Sequence, residues 1–196
     1  MTAYLILHGW QNHRPKEHWQ HWLADRLRAL GHHVTYPQLP DPDDPDLDVW
    51  LGELGRHLGE LPNDAGSERV VLAHSASALL WLHAVARGLV RGDEVDRVLL
   101  VGPPSASVVA GYPEVAGFVP PAADFTLPGN VRLVAGDDDP YCEEGARAAY
   151  GDPFGIPTEI IPGGGHLDLV AGYGSWPAVL DWCLDATTRL TARPPG

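Results

Sequence analysis

One serine in this sequence stands where a strand must end and a helix must begin at once. Val70-Val71-Leu72-Ala73 is an apolar run, and His74-Ser75-Ala76-Ser77 passes directly into the helical Ala78-Leu79-Leu80-Trp81. A turn this tight needs small residues two before and two after its apex, and Ala73 and Ser77 meet that need. The spacing predicts a nucleophile elbow with Ser75 lifted above the edge of a sheet. The Ala76 N–H, at the start of the helix, would point at a developing oxyanion. A serine here also reads as a plain helix N-cap.

Two further segments supply the partners a serine nucleophile needs. Gly136-Asp137-Asp138-Asp139-Pro140 follows the apolar run Val131 to Ala135, and Pro162-Gly163-Gly164-Gly165-His166 follows Thr158 to Ile161. The chain order Ser, Asp, His after three strand ends is the order expected of a hydrolytic triad. A neutral His takes the Ser proton, and a carboxylate holds its ring and stabilises the imidazolium. Taken singly, the Asp run reads as a solvated acidic loop or a cation site, and His166 as a surface histidine. After the first apolar run comes Leu7-His8-Gly9-Trp10-Gln11. A His-Gly turn there commonly supplies a second oxyanion donor, which assigns the Trp10 N–H as partner to the Ala76 N–H. The His8 side chain reads as a buried turn histidine bonded to backbone.

The elements that must position these residues alternate along the chain. Short apolar runs at Tyr4 to Leu7, His33 to Tyr36, Val70 to Ala73, Arg97 to Val101, Val131 to Ala135 and Thr158 to Ile161 read as buried parallel strands. Amphipathic stretches lie between them. Trp19, Trp22, Leu23, Leu27 and Leu30 share one face, with Gly31 as a stop signal. Leu47, Trp50, Leu51, Leu54, Leu58 and Leu61 form a second face before Pro62, and Ala78, Leu79, Leu82, Val85 and Ala86 a third. A fourth helix is expected from Ser175 as N-cap, with Pro177 in the first turn. The alternation predicts an α/β fold: one domain over residues 1–196, three layers, a mostly parallel sheet of about six strands and helices on both faces.

Two connections stand out. Gln38 to Asp48 is rich in Pro and Asp and reads as a surface loop. Gly102 to Gly129 is long and Pro-rich. Its aromatics Tyr112, Phe118 and Phe125 are candidate substrate-binding residues of a flap that takes an apolar acyl or alcohol group. A packed surface loop is the opposing reading. The tail from Arg193 to Gly196 is expected to fray.

Composition narrows the function classes. Among 196 residues, 13 Lys and Arg stand against 26 Asp and Glu, a net charge of -13, which disfavours nucleic acid and acidic membranes as partners. With 44% hydrophobic and 20% charged residues, the chain has globular values. Two cysteines, Cys142 and Cys183, make no disulfide framework. The run Tyr4 to Leu7 is too short for a signal peptide, and a cytoplasmic location is expected. The ten histidines show no zinc spacing, so no metal site is expected. No glycine-rich dinucleotide fingerprint follows the first strand, and no cofactor is expected.

Together these segments resemble the α/β-hydrolase superfamily. More narrowly, they are similar to the small lidless serine hydrolases of the YdeN and retinoblastoma-binding-protein-nine kind. The matching strings are Leu7-His8-Gly9-Trp10-Gln11, His18-Trp19 to Trp22-Leu23, Ala73-His74-Ser75, Asp138-Asp139-Pro140-Tyr141 and Gly164-Gly165-His166. The resemblance implies a flavodoxin-like sheet without a large cap, a Ser75–Asp139–His166 triad with Asp138 as the fallback acid, and carboxylic ester hydrolysis. Ser77 departs from the glycine usual at its position. The expected substrate is a small ester, thioester or amide. The alternative is a catalytically silent protein of the same fold that binds a protein partner.

Overall fold

The computed structural model describes residues 1–63, 66–92 and 94–194. Its centre is a six-stranded sheet of β1 (Thr2–Leu7), β2 (His33–Thr35), β3 (Glu68–His74), β4 (Arg97–Val101), β5 (Asn130–Gly136) and β6 (Thr158–Ile161). The spatial order is β2-β1-β3-β4-β5-β6, and every neighbouring pair is parallel. The chain first steps outward from β1 to β2, then returns past β1 and runs the other way from β3. That reversal makes the carboxyl ends of β1 and β3 the switch point, where loops diverge and a crevice opens.

Both faces of the sheet are covered, which is why the central strands β1, β3 and β4 are dominated by buried apolar residues, whereas edge strand β2 (His-Val-Thr) is not. On one face Leu5, Leu7, Val71, Ala73, Val98 and Leu100 pack with α2 (Leu47–Glu60) and α3 (Ala76–Ala86). On the other, Tyr4, Ile6, Val70, Leu72, Leu99 and Val101 pack with α1 (Trp19–Ala29) and α6 (Pro177–Leu184). Alternate residues of each strand therefore serve different cores, as the two-residue period requires. Trp19, Trp50, Trp81, Trp176 and Trp182 are buried in these layers. Among the described residues, no helix is long and apolar enough to cross a membrane.

Several local expectations need correction. Leu30 leaves the apolar face of α1 and is 55% exposed, because the helix ends at Ala29 and Gly31 takes a left-handed φ of 84°. The N-cap of α6 is Trp176 rather than Ser175. The stretch 38–48 is largely exposed, as expected of a surface loop, but it is anchored and runs into α2 at Leu47. Leu39 is fully buried, Pro40 accepts the Trp50 indole N–H at 2.7 Å, and Asp46 caps α2 through the Val49 N–H. The stretch 102–129 carries a short α4 (Ala106–Ala110) and a 3-10 turn, Pro113–Phe118. A π turn (Arg147–Gly151) and α5 (Asp152–Phe154) precede β6. Arg193 is held, donating from Nε to the Ala171 carbonyl at 3.1 Å, whereas Pro195 and Gly196 lie outside the described residues.

Candidate active site

Ser75 sits between β3 and α3 with φ 58° and ψ -125°, a conformation that costs a non-glycine residue about 1–3 kcal/mol. Ser75 stands at the N-cap position of α3, but its side chain makes no capping bond to the helix. The hydroxyl instead faces His166, with Oγ 2.9 Å from Nε2. The other ring nitrogen, Nδ1, lies 2.9 Å from Asp139 Oδ2 and 3.1 Å from Oδ1. Asp139 and His166 are both buried. The geometry matches a neutral imidazole that donates from Nδ1 to the carboxylate and accepts from the serine at Nε2.

The three neighbouring aspartates divide the work of their loop. Asp139 also accepts the Tyr141 N–H at 2.9 Å, which fixes its orientation. Asp138, exposed, accepts the Gly165 N–H at 2.7 Å, and Asp137 accepts the Gly163 N–H at 2.8 Å. These two bonds lash the loop after β5 to the loop after β6. Gly136 packs directly on the backbone of Gly164 and Gly165, where a Cβ has no room. Sequence spacing leaves Asp138 and Asp139 equivalent; the fold turns Asp139 to the histidine ring and Asp138 to the N–H of Gly165 before it.

Opposite the serine lies the turn after β1. A Cβ at Gly9 would come within 2.6 Å of the Ser75 Cβ, so only glycine allows this approach. His8 is fully buried, and its Nε2 accepts the Leu39 N–H at 2.8 Å and Gln38 Nε2–H at 2.9 Å. Its Nδ1–H is then free to donate to the Gly9 carbonyl at 2.9 Å. The peptide is trans, so pinning that carbonyl turns the Trp10 N–H of the same unit the other way. The Ser77 hydroxyl donates to the His8 carbonyl and ties the elbow to this turn. A glycine in its place would lack that bond. Among the described residues, neither the Trp10 N–H nor the Ala76 N–H donates to a backbone carbonyl, and both residues border the cavity above Ser75.

That cavity has a volume of about 520 Å³. One wall comes from the 102–129 stretch: Val108, Val109, Tyr112, Val115 and Phe118. Tyr112 is 43% exposed at the rim, with its ring 5.1 Å from Trp10. Phe118 is fully buried and also meets Trp50 edge-on at 5.3 Å. Phe125 departs from expectation. It is outside the cavity lining, and its ring packs on Phe154 at 5.3 Å. The chain beyond the 3-10 turn leads back toward β5, which carries Phe125 away from the serine.

Sequence reasoning assigned no role to several residues that the fold brings here. His74 donates from Nε2 to the His166 carbonyl at 3.0 Å, and its ring lies 5.0 Å from that of His166. Its place next to Ser75 on a strand end was the available signal. His18, the N-cap of α1, has its ring 5.5 Å from His74. Tyr141 lies 4.6 Å ring to ring from His166 and follows the Asp-Pro string directly. Burial depresses the pKa of His8 and His18 to about 4 and that of His74 well below its ordinary range, which favours the neutral form of these three rings. Burial also pushes the Cys142 thiol up to about 12, far from a reactive thiolate. Among the described residues, no three His, Cys, Asp or Glu side chains gather as a metal site.

Comparison with known proteins follows the same lines. A family model described as serine hydrolase matches residues 4–184. The ydeN gene product of Bacillus subtilis is 21% identical, with 93% of this chain and 96% of that chain covered at a TM-score of 0.73. A YdeN-like hydrolase from Pectobacterium atrosepticum is 20% identical over 92% and 88% of the two chains, also at 0.73. Est1E from Butyrivibrio proteoclasticus is 17% identical over 94% and 87%, at 0.64. At these identities the structural likeness speaks for the fold, a minimal α/β-hydrolase. No protein with a curated description matches the chain.

Proposed function

The chain belongs to the serine hydrolase family, and from that premise we propose that it cleaves small carboxylic esters, thioesters or amides through an acyl-enzyme on Ser75. The carrying observation is the hydrogen-bonded series Ser75–His166–Asp139 at the edge of a cavity bordered by Trp10 and Ala76, whose N–H groups have no partner among the described residues. Residues 1–196 act in this reading as one catalytic domain.

Ser75 Oγ attacks the carbonyl carbon as its proton passes to His166 Nε2. Asp139 keeps the Nδ1–H tautomer and stabilises the imidazolium. The Trp10 and Ala76 N–H groups receive the oxyanion of the tetrahedral intermediate. His166 then gives its proton to the leaving alcohol, thiol or amine. Water attacks the acyl-enzyme, His166 takes a proton from it, and the acid leaves with Ser75 restored. The wall formed by Val108, Val115 and Phe118 favours an apolar acyl or alcohol group.

Intact-protein mass spectrometry after exposure to a fluorophosphonate tests this reading. One adduct is expected, mapped to Ser75 and absent from Ser75→Ala, whose turnover of activated esters should fall about 10³-fold or more. A folded protein that takes no adduct would overturn the proposal and leave the protein-binding role.

A further inference from the structure

Beyond the three linked residues, the cavity has an uneven charge. No Lys or Arg is among the described residues that line it. Asp168, two residues after His166, does line it and is partly exposed. Its Oδ1 accepts the Ala171 N–H at 2.9 Å, which fixes the carboxylate on the loop. Oδ2 takes no protein donor among the described residues. His13, also on the rim, faces a second carboxylate, Asp43, at 3.0 Å.

Aromatic rings stand around the same mouth. Trp10 and Tyr112 pack at 5.1 Å, and Tyr141 is 37% exposed over His166. Asp168 lies close enough for its charge to reach both Tyr141 and His18. The Tyr141 phenol is raised first by burial and then by Asp168, and Asp168 partly offsets the burial that depresses His18. Aromatic faces and a fixed carboxylate attract cations, and a lining without Lys or Arg gives a substrate's own anionic group no permanent counter-charge. The net charge of -13 adds a long-range field of the same sign.

Resting on the hydrolase reading, we propose that the cavity selects esters by charge. Its preferred substrates join an apolar group to an ammonium or quaternary ammonium held between Asp168 and the rim formed by Trp10, Tyr112 and Tyr141. The apolar part lies on the wall of Val108, Val115 and Phe118. Esters that end in a carboxylate are rejected.

The test uses p-nitrophenyl esters of matched length: hexanoate, 6-(trimethylammonio)hexanoate and the monoester of hexanedioate. A second pair, butyrylthiocholine and S-(3-sulfopropyl) thiobutyrate, puts the charge on the leaving side. The readout is the cation-to-anion ratio of kcat/KM, in which any loss of folded protein cancels. The ratio should be about tenfold or more on at least one side and shrink as salt rises. Asp168→Asn, which can still accept from the Ala171 N–H, should bring it below about threefold, and Asp168→Glu should restore it. A ratio near one on both sides, or one that survives Asp168→Asn, would overturn charge selection while leaving the hydrolase reading intact. Failure to turn over the neutral hexanoate, together with no fluorophosphonate adduct, would overturn both.

Discussion

Asp138 and Asp139 are adjacent, chemically identical and placed by the backbone on opposite tasks. Asp139 meets the His166 ring, while Asp138 meets the Gly165 N–H and remains exposed. Asp139→Asn keeps the shape but removes the charge that steadies an imidazolium, so kcat should fall by about 10³ to 10⁴. Asp138→Asn retains an oxygen for Gly165 and should cost less than about tenfold. Steady-state kinetics on both variants decides the matter, and the reverse ranking would move the acid to Asp138. Ser77 teaches a similar lesson. From sequence it is only a departure from glycine at a crowded turn. In the structure its hydroxyl satisfies the His8 carbonyl, a group that would otherwise be buried without this donor. Its partner lies 69 residues away in sequence, so no local pattern could have announced the bond.

The stretch 102–129 is an element whose parts separate by function. Its first half, with α4 and the 3-10 turn, forms the apolar wall, and Phe118 anchors it against Trp50. Phe125 belongs to a different contact, with Phe154. Phe118→Ala should destabilise the fold by about 3–5 kcal/mol and shift kcat/KM toward longer acyl chains. Phe125→Ala should lower the melting temperature and leave the acyl-length profile as it was. Melting curves and a p-nitrophenyl ester series from two to twelve carbons check both, and a profile moved by Phe125→Ala would contradict this division. The strands are legible in sequence because each is a short run, rich in apolar or β-branched residues, between breakers. The short α4 is not, because five residues of Ala, Ser and Val carry too few turns to show a period. The cap of α6 is misplaced by one residue because a serine shortly before Pro177 looks like a cap, while the backbone makes the intervening Trp176 the cap.

At the scale of the whole molecule, the buried histidines couple stability to pH. His8 and His18 have pKa values depressed from 6.5 to about 4, and that of His74 is also held well below its ordinary range, all chiefly through burial. Between about 4 and 6.5 the unfolded chain binds protons that the folded chain refuses. Their contribution is therefore full above 6.5 and lost as pH falls, at about 1.4 kcal/mol per pH unit for each histidine inside the window. The melting temperature should drop steeply from pH 7 to pH 5, and less steeply in a His18→Gln variant; a flat profile would show these rings to be solvated.

By itself the sequence determines the α/β alternation, the three strand ends that bear Ser75, the Asp run and His166, and the acidity that disfavours polyanions. These are local or additive properties, written in apolar period, turn residues and net charge. The turning of Asp139 to the His166 ring, the clamp on the Trp10 peptide, the removal of Phe125 from the cavity and the placing of Asp168 and Tyr141 on the same cavity are decided only in three dimensions. Each depends on which loops the parallel sheet brings to one edge, and that edge joins residues from β1 through β6 that no sequence window contains.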